Sequence, residues 1–195
     1  MRKFKKESQT IAVAGCLGRI GTTTQAMQTI KYLSLMGYRS CYVEMNRHGY
    51  IDGVKELYNN IKEDKKTKRV TFEGIDMFKQ ENIAEISKLE YEYLVKDYGS
   101  VADPVFEKIS FLEQNFRIFC GGIKPGEINC VYNVLLNQTY AATGYIFNFV
   151  PNGDREAIKE MMEDKRDLTF FADYVPDAYS YSATANQIYR TLLKL

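Results

Sequence analysis

Short apolar runs alternate with amphipathic stretches along nearly the whole chain. Residues 11–15 (IAVAG) read as a buried strand. From Thr23 to Met36, the residues Ala26, Met27, Ile30, Leu33 and Met36 recur at helical spacing. Gly37 follows, a residue suited to the left-handed turn that ends a helix. Residues 38–45 predict a second strand, and Val54, Leu57, Tyr58 and Ile61 mark one face of a helix over 52–61. The charged segment 62–69 (KEDKKTKR) has no apolar residue and reads as an exposed connection. Strands are predicted at 70–78 and 91–97, with a short helix between them on Ile83, Ile86 and Leu89. Asp103-Pro104 predicts a helix start whose buried face holds Val105, Ile109 and Leu112. A strand at 116–122 leads to a helix opened by Pro125-Gly126-Glu127, with Ile128, Val131, Leu135 and Leu136. The chain closes with a strand at 144–151, a helix on Ala157, Ile158, Met161 and Met162, a strand at 168–176, and a helix from about Ser182.

This pattern predicts an α/β fold. It is a three-layer, doubly wound, mostly parallel sheet of about seven strands, with no hairpin signal between strands, and residues 1–195 form one domain. In such sheets ligands bind beyond the carboxyl ends of the strands. The positions to inspect therefore follow Ala14, Glu44, Val95, Cys120 and Phe149.

Composition narrows the picture. A formal net charge of +1 argues against a strongly basic nucleic-acid binder and leaves room only for a local patch. No apolar run approaches the roughly 20 residues that span a bilayer. The basic start (Arg2, Lys3, Lys5, Lys6) runs into Glu7, Ser8 and Gln9, which is unlike a secretory signal. Cys16, Cys41, Cys120 and Cys130 form no CxxC pair and read as free thiols in a reducing cytoplasm. With His48 the single histidine, a zinc site is disfavoured.

The stretch 15–24, GCLGRIGTTT, carries the chemistry. A strand, a glycine-punctuated loop and a threonine cluster opening a helix are the parts of a phosphate cradle, in which backbone N–H groups and the helix dipole face the anion. Where the standard motif has Gly-Lys-Thr, the chain has Gly21-Thr22-Thr23. Gly15, Gly18 and Gly21 do not make the GxGxxG of dinucleotide binders.

Together with the element order, this loop resembles that of the MinD/ParA-type ATPases, P-loop proteins with a deviant Walker A motif. TadZ-like pilus-localisation proteins are degenerate relatives. The resemblance puts Leu17 and Thr22 at the family's two lysines and Arg19 at a glycine. It implies that Gly18, Arg19, Ile20, Gly21, Thr22, Thr23 and Thr24 surround the phosphates of ATP or ADP, with Thr23 a Mg²⁺ ligand. Residues 93–99 (YLVKDYG) resemble the Walker B strand, and Asp97 becomes the second Mg²⁺ residue, acting through water. Glu44-Met45-Asn46 stands where the family has Asp-x-Asp. Asn46 could orient a water and cannot act as its base. Asn148 resembles the adenine-reading asparagine, and Pro176-Asp177 the loop that closes over the base. The resemblance also implies a homodimer and a further protein partner.

Each feature has a plainer reading: a tight turn for the loop, a strand-end cap for Asp97, backbone satisfaction for Asn148, and an exposed loop for His48, which could instead face the site. The tyrosines 174, 179, 181 and 189 fit a partner surface or a covered sheet edge. The leading expectation is a localisation, partitioning or assembly factor whose nucleotide site has decayed to a pseudo-ATPase. One alternative is a slow ATPase in which Arg19 replaces the lysines. Another is a protein- or DNA-binding module that kept only the fold.

Overall fold

The structure is a computed structural model that describes residues 8–137, 140–180 and 183–194, with side chains left out over 183–186. The sequence reading of Tyr181 and of a helix start at Ser182 falls outside the described residues. At the centre lies β1 (Gln9–Gly15), flanked in parallel by β6 (Tyr93–Ser100) and β7 (Phe116–Gly121). Beyond β6 come β2 (Ser40–Glu44) and β5 (Ile75–Lys79), and beyond β7 come β8 (Gly144–Asn148) and β9 (Thr169–Ala172), all parallel. Two short strands, β3 (Lys62–Asp64) and β4 (Arg69–Phe72), extend the β5 edge antiparallel. The order of the nine is β3-β4-β5-β2-β6-β1-β7-β8-β9.

The central strands are apolar on both faces because helices cover both faces. Ile11, Ala12, Val13, Ala14, Val95, Ile118 and Phe119 are all fully buried. Helix α1 (Thr22–Leu35) packs on β6, β2 and the last helix, α7 (Ala183–Leu193). It ends as its sequence predicts: Gly37 takes φ +83°, while Tyr38 N–H donates to Leu33 O at 3.0 Å and Gly37 N–H to Ser34 O at 3.1 Å. The others are α2 (Tyr50–Leu57), α3 (Ile83–Ile86), α4 (Lys108–Leu112), α5 (Pro125–Leu136) and α6 (Arg155–Met161). Pro125 does open α5, and the Glu127 carboxylate accepts the Lys124 N–H at 3.0 Å.

The seven expected parallel strands are present, and the departures are local. The predicted strand at 70–78 is a hairpin, because Glu73 and Gly74 both take left-handed backbone (φ +47° and +76°), the geometry of a tight two-residue turn. The segment 62–69 is also partly ordered. Asp64 accepts the Lys66 N–H at 2.9 Å and the Thr67 hydroxyl at 2.8 Å, closing the turn that pairs β3 with β4. Its charges sit on a sheet edge, where they discourage further pairing. The helix expected at Asp103-Pro104 begins only at Lys108: the Asp103 carboxylate accepts the Val105 N–H at 3.0 Å and the Asp103 backbone carbonyl the Phe106 N–H at 3.0 Å, which closes a single turn that is not continued. Val105 and Ile109 are accordingly exposed, as are Leu57 and Leu136 at the ends of α2 and α5.

From β1 the chain leaves toward β2, and from β6 it returns across β1 to β7. The winding reverses there, so a crevice opens at the carboxyl end of β1.

Candidate functional site

The loop after β1 is pinned at its root. Cys16 N–H donates to Cys120 O and Val101 N–H to Gly15 O, each at 2.9 Å. A side chain at Gly15 would collide with Thr22 Oγ1 and sit 2.7 Å from Leu17 O, so only glycine lets the loop fold back over its strand. The loop reverses through two left-handed residues, Arg19 (φ +63°) and Gly21 (φ +90°). Gly21 is the N-cap of α1 and supplies no side-chain cap. The first turn (Thr22, Thr23, Thr24) lines a cavity of about 320 Å³ together with Gly18, Arg19 and Gly21. Leu17, His48, Gly99 and Phe149 complete its wall.

Asp97 lies beneath the loop and is fully buried. Its carboxylate accepts the Thr23 hydroxyl at 2.6 Å, the Tyr42 hydroxyl at 2.9 Å and the Gly99 N–H at 2.9 Å. Burial raises its pKa above the ordinary carboxylate value, and these three donors, with the nearby His48, oppose the rise. One hydroxyl and one carboxylate thus meet beneath the loop, the ligand type a hard divalent cation selects. Among the described residues no cluster of three or more His, Cys, Asp or Glu could hold a metal by itself.

Asn148, at the end of β8, is 4% exposed and turned toward the loop. Its amide donates to Ile20 O at 2.7 Å and accepts from Gln25 Nε2 at 2.8 Å. Gln25 in turn accepts the Tyr189 hydroxyl of α7. Loop, α1, β8 and α7 are therefore joined by one buried chain of hydrogen bonds.

The end of β2 faces elsewhere. Glu44 is buried and caps α2, accepting the Tyr50 and Ile51 N–H groups. Desolvation raises its pKa against those bonds. Asn46 donates to Asp97 O at 3.0 Å and accepts the His48 N–H at 2.9 Å. It lines a neighbouring cavity of about 530 Å³ with Glu44, Arg47 and Lys79.

The sequence-predicted residues thus divide. Gly18, Arg19, Gly21, Thr22, Thr23 and Thr24 share one cavity, with Asp97 bonded to it through Thr23. Ile20 is buried and offers its carbonyl to Asn148. Asn46 touches the Asp97 backbone and opens to the adjoining cavity. Pro176 and Asp177 do not line the loop cavity. Asp177 accepts the Tyr179 N–H and the Ser180 hydroxyl, each at 3.0 Å. That turn is tied to α1 by Gln28, which donates to Ala178 O and Ser180 O, and to α2 by the Tyr50–Tyr179 hydroxyl pair at 2.8 Å.

Among the described residues Arg19 supplies the cavity's charged side chain and His48 its imidazole. Arg19 is exposed; His48 Nε2 lies 3.4 Å from an Asp103 oxygen. Sequence reasoning missed Tyr42 and Gln25, whose hydroxyl and amide complete the floor. It also missed Phe149, whose ring reaches the cavity from a left-handed backbone (φ +62°). An aromatic residue directly after the strand-end Asn148 was the available signal.

A central parallel sheet, a glycine loop at its switch point, and a strand-end aspartate bonded to the loop's threonine define a P-loop NTPase fold of the MinD/ParA type. Solved structures agree. The chain aligns with MinD in the MinC:MinD cell division complex of Aquifex aeolicus at a TM-score of 0.68 and 14% identity, covering 96% of this chain and 95% of that one. A putative plasmid partition protein of Borrelia burgdorferi, solved with AMPPNP, aligns at 0.65 and 15% identity over 97% and 98% of the chains. The pNOB8 ParA protein, solved on nonspecific DNA, aligns at 0.63 and 13% identity over 96% and 98%. No family model matches the chain, and no curated protein matches it by sequence. Among the described residues no helix is long and apolar enough to cross a membrane.

Proposed function

We propose that this chain is a MinD/ParA/TadZ-like protein with a degenerate P-loop, a pseudo-ATPase that binds ATP or ADP with Mg²⁺ and acts as a localisation, partitioning or assembly factor. The observation that carries the reading is a retained scaffold with its charge removed. Thr23 and Asp97 stay paired at 2.6 Å under an open helix start, while leucine and threonine occupy positions 17 and 22. Backbone N–H groups and the helix dipole bind phosphate without a lysine, but more weakly. Thr23 and Asp97 would hold Mg²⁺, which supplies positive charge against the phosphates when bound. Hydrolysis needs more, because charge stabilisation at the transferring phosphoryl is a dominant catalytic term. Asn46, already bonded to the Asp97 backbone and the His48 N–H, provides no base.

In this reading the protein works by occupancy. Nucleotide orders the loop, and a second copy or a protein partner reads the result in a reducing cytoplasm. The MinC:MinD complex and the DNA-bound ParA illustrate the two kinds of partner that this fold meets elsewhere.

Calorimetry of ATP and ADP with the purified chain, with and without Mg²⁺, paired with a phosphate-release assay, tests the proposal. Binding without turnover is the expected result. Binding of a protein or DNA partner that ignores nucleotide, with no nucleotide bound at millimolar concentration, would sink it in favour of a module that kept only the fold. The position of Arg19 supports a second reading. It stands exposed on the cavity wall, where an arginine can meet phosphate oxygens. If it restores the missing charge, slow turnover appears and both Arg19→Ala and Asp97→Ala abolish it.

A further inference from the structure

The two side chains that would read a base edge in the expected nucleotide site are already committed to the protein. Asn148 is 4% exposed and spends its amide on Ile20 O and Gln25 Nε2. Asp177 spends both carboxylate oxygens on the turn at Tyr179 and Ser180. Beside them the carboxyl ends of β8 and β9 present two large rings to solvent. Phe149 is 56% exposed and Tyr174 is 72% exposed. Their centroids lie 6.2 Å apart with planes tilted by 47°. Phe149 also lines the cavity that the loop threonines line. A non-glycine residue held at φ +62° with its ring directed outward is an arrangement that the fold imposes rather than one the residue prefers.

We infer that Phe149 and Tyr174 form a stacking platform for the base of a nucleoside di- or triphosphate, and that the site accepts purine and pyrimidine nucleotides alike. The inference rests on the nucleotide reading proposed above. Its physical basis is that every base offers a π face, so stacking holds the base without testing its hydrogen-bonding edge. Phe149 lines the cavity beside the loop threonines, and Tyr174 lies against Phe149. With Asn148 and Asp177 engaged, the platform is left without an edge reader from either of the residues expected to serve.

The experiment compares Mg²⁺ complexes of ATP, GTP and CTP with inorganic tripolyphosphate, titrated by calorimetry into the full chain. The three nucleotides are expected to bind within about threefold of one another, and tripolyphosphate about tenfold more weakly, the loss that one unstacked base produces. Phe149→Ala should bring ATP down to the tripolyphosphate level, Phe149→Tyr should keep wild-type binding, and Tyr174→Ala should fall between. Both positions are exposed, and thermal melting verifies that each variant is folded. A tenfold or greater preference for ATP over GTP and CTP overturns the inference, because something then reads the edge. Equal binding of ATP and tripolyphosphate also overturns it and leaves the phosphate reading intact. If neither ligand binds, the nucleotide reading itself falls and this inference falls with it.

Discussion

The buried layer beneath the loop, its floor, and the solvent-facing rim are built on opposite terms. On the floor, Asp97, Thr23, Tyr42, Asn148 and Gln25 are bonded to one another or to the backbone, and Asp97 and Asn148 are all but sealed from water. On the rim, Phe149 and Tyr174 are more than half exposed, and Arg19 stands in solvent. The floor sets the shape of a phosphate cradle whether or not anything occupies it. The rim carries what a ligand would feel. Because shape and charge reside in different residues, leucine at position 17 and threonine at position 22 leave the loop's shape intact. The two regions should therefore answer differently to mutation, with stability in one and binding in the other.

The largest expected break is Gly15→Ala. The new methyl would press on Thr22 Oγ1 and on the Leu17 carbonyl, which is backbone and cannot swing away. A cost of about 2–3 kcal/mol follows from such overpacking, which lowers Tm by roughly 5–10 °C in a chain of this size. An unchanged melting curve would show that the loop root is looser than the floor geometry implies.

Asn148→Ala comes next. It strands the Ile20 carbonyl and the Gln25 amide in a buried position, at about 1–3 kcal/mol. Its signature is loss of stability, with no change in which base is preferred. A variant that melts like wild type but changes the preference among nucleotides would place Asn148 on the rim after all.

Asp97→Asn should move the other way. Burial raises the Asp97 pKa from its ordinary value of 3.8, so the folded chain holds that proton more tightly than the unfolded one. Keeping the group ionised therefore costs stability as pH rises through the raised pKa, and costs nothing below 3.8, where both states are protonated. Asparagine removes the charge and still bonds to Thr23 and Tyr42, whose hydroxyls can accept as well as donate. Melts across pH should show the variant more stable than wild type at neutral pH, with the gap closing on acidification. A gap that widens toward acid would mean the three donors outweigh burial.

The same division explains what the sequence made legible. The parallel core could be read because apolar runs and helical spacing are local, and the placing of Thr23 and Asp97 beside the same loop because strand-loop-helix motifs are compact. The Asn148–Gln25 bond joins residues 123 positions apart and the Asn148–Ile20 bond residues 128 apart, so no window of sequence contains either pair. The hairpin at Glu73-Gly74 was hidden for another reason. Residues 70–78 read as one strand, and the reversal depends on two left-handed backbones that a Glu-Gly pair signals only faintly.

The smallest expected effect cuts most cleanly between floor and rim, at Arg19. Its backbone sits at φ +63°, where a residue with a Cβ is held at a cost and glycine is not. Its side chain is the exposed cation of the loop. Arg19→Gly should therefore stabilise the fold by up to about 1 kcal/mol while weakening nucleotide binding, whereas Arg19→Ala should weaken binding equally and leave stability within about 0.5 kcal/mol of wild type. Two variants that lose the same charge and differ only in backbone strain separate the loop's shape from its chemistry. If Arg19→Ala instead lowers the melting temperature by several degrees, the arginine is part of the floor, and the distinction between the two regions fails at the residue where it matters most.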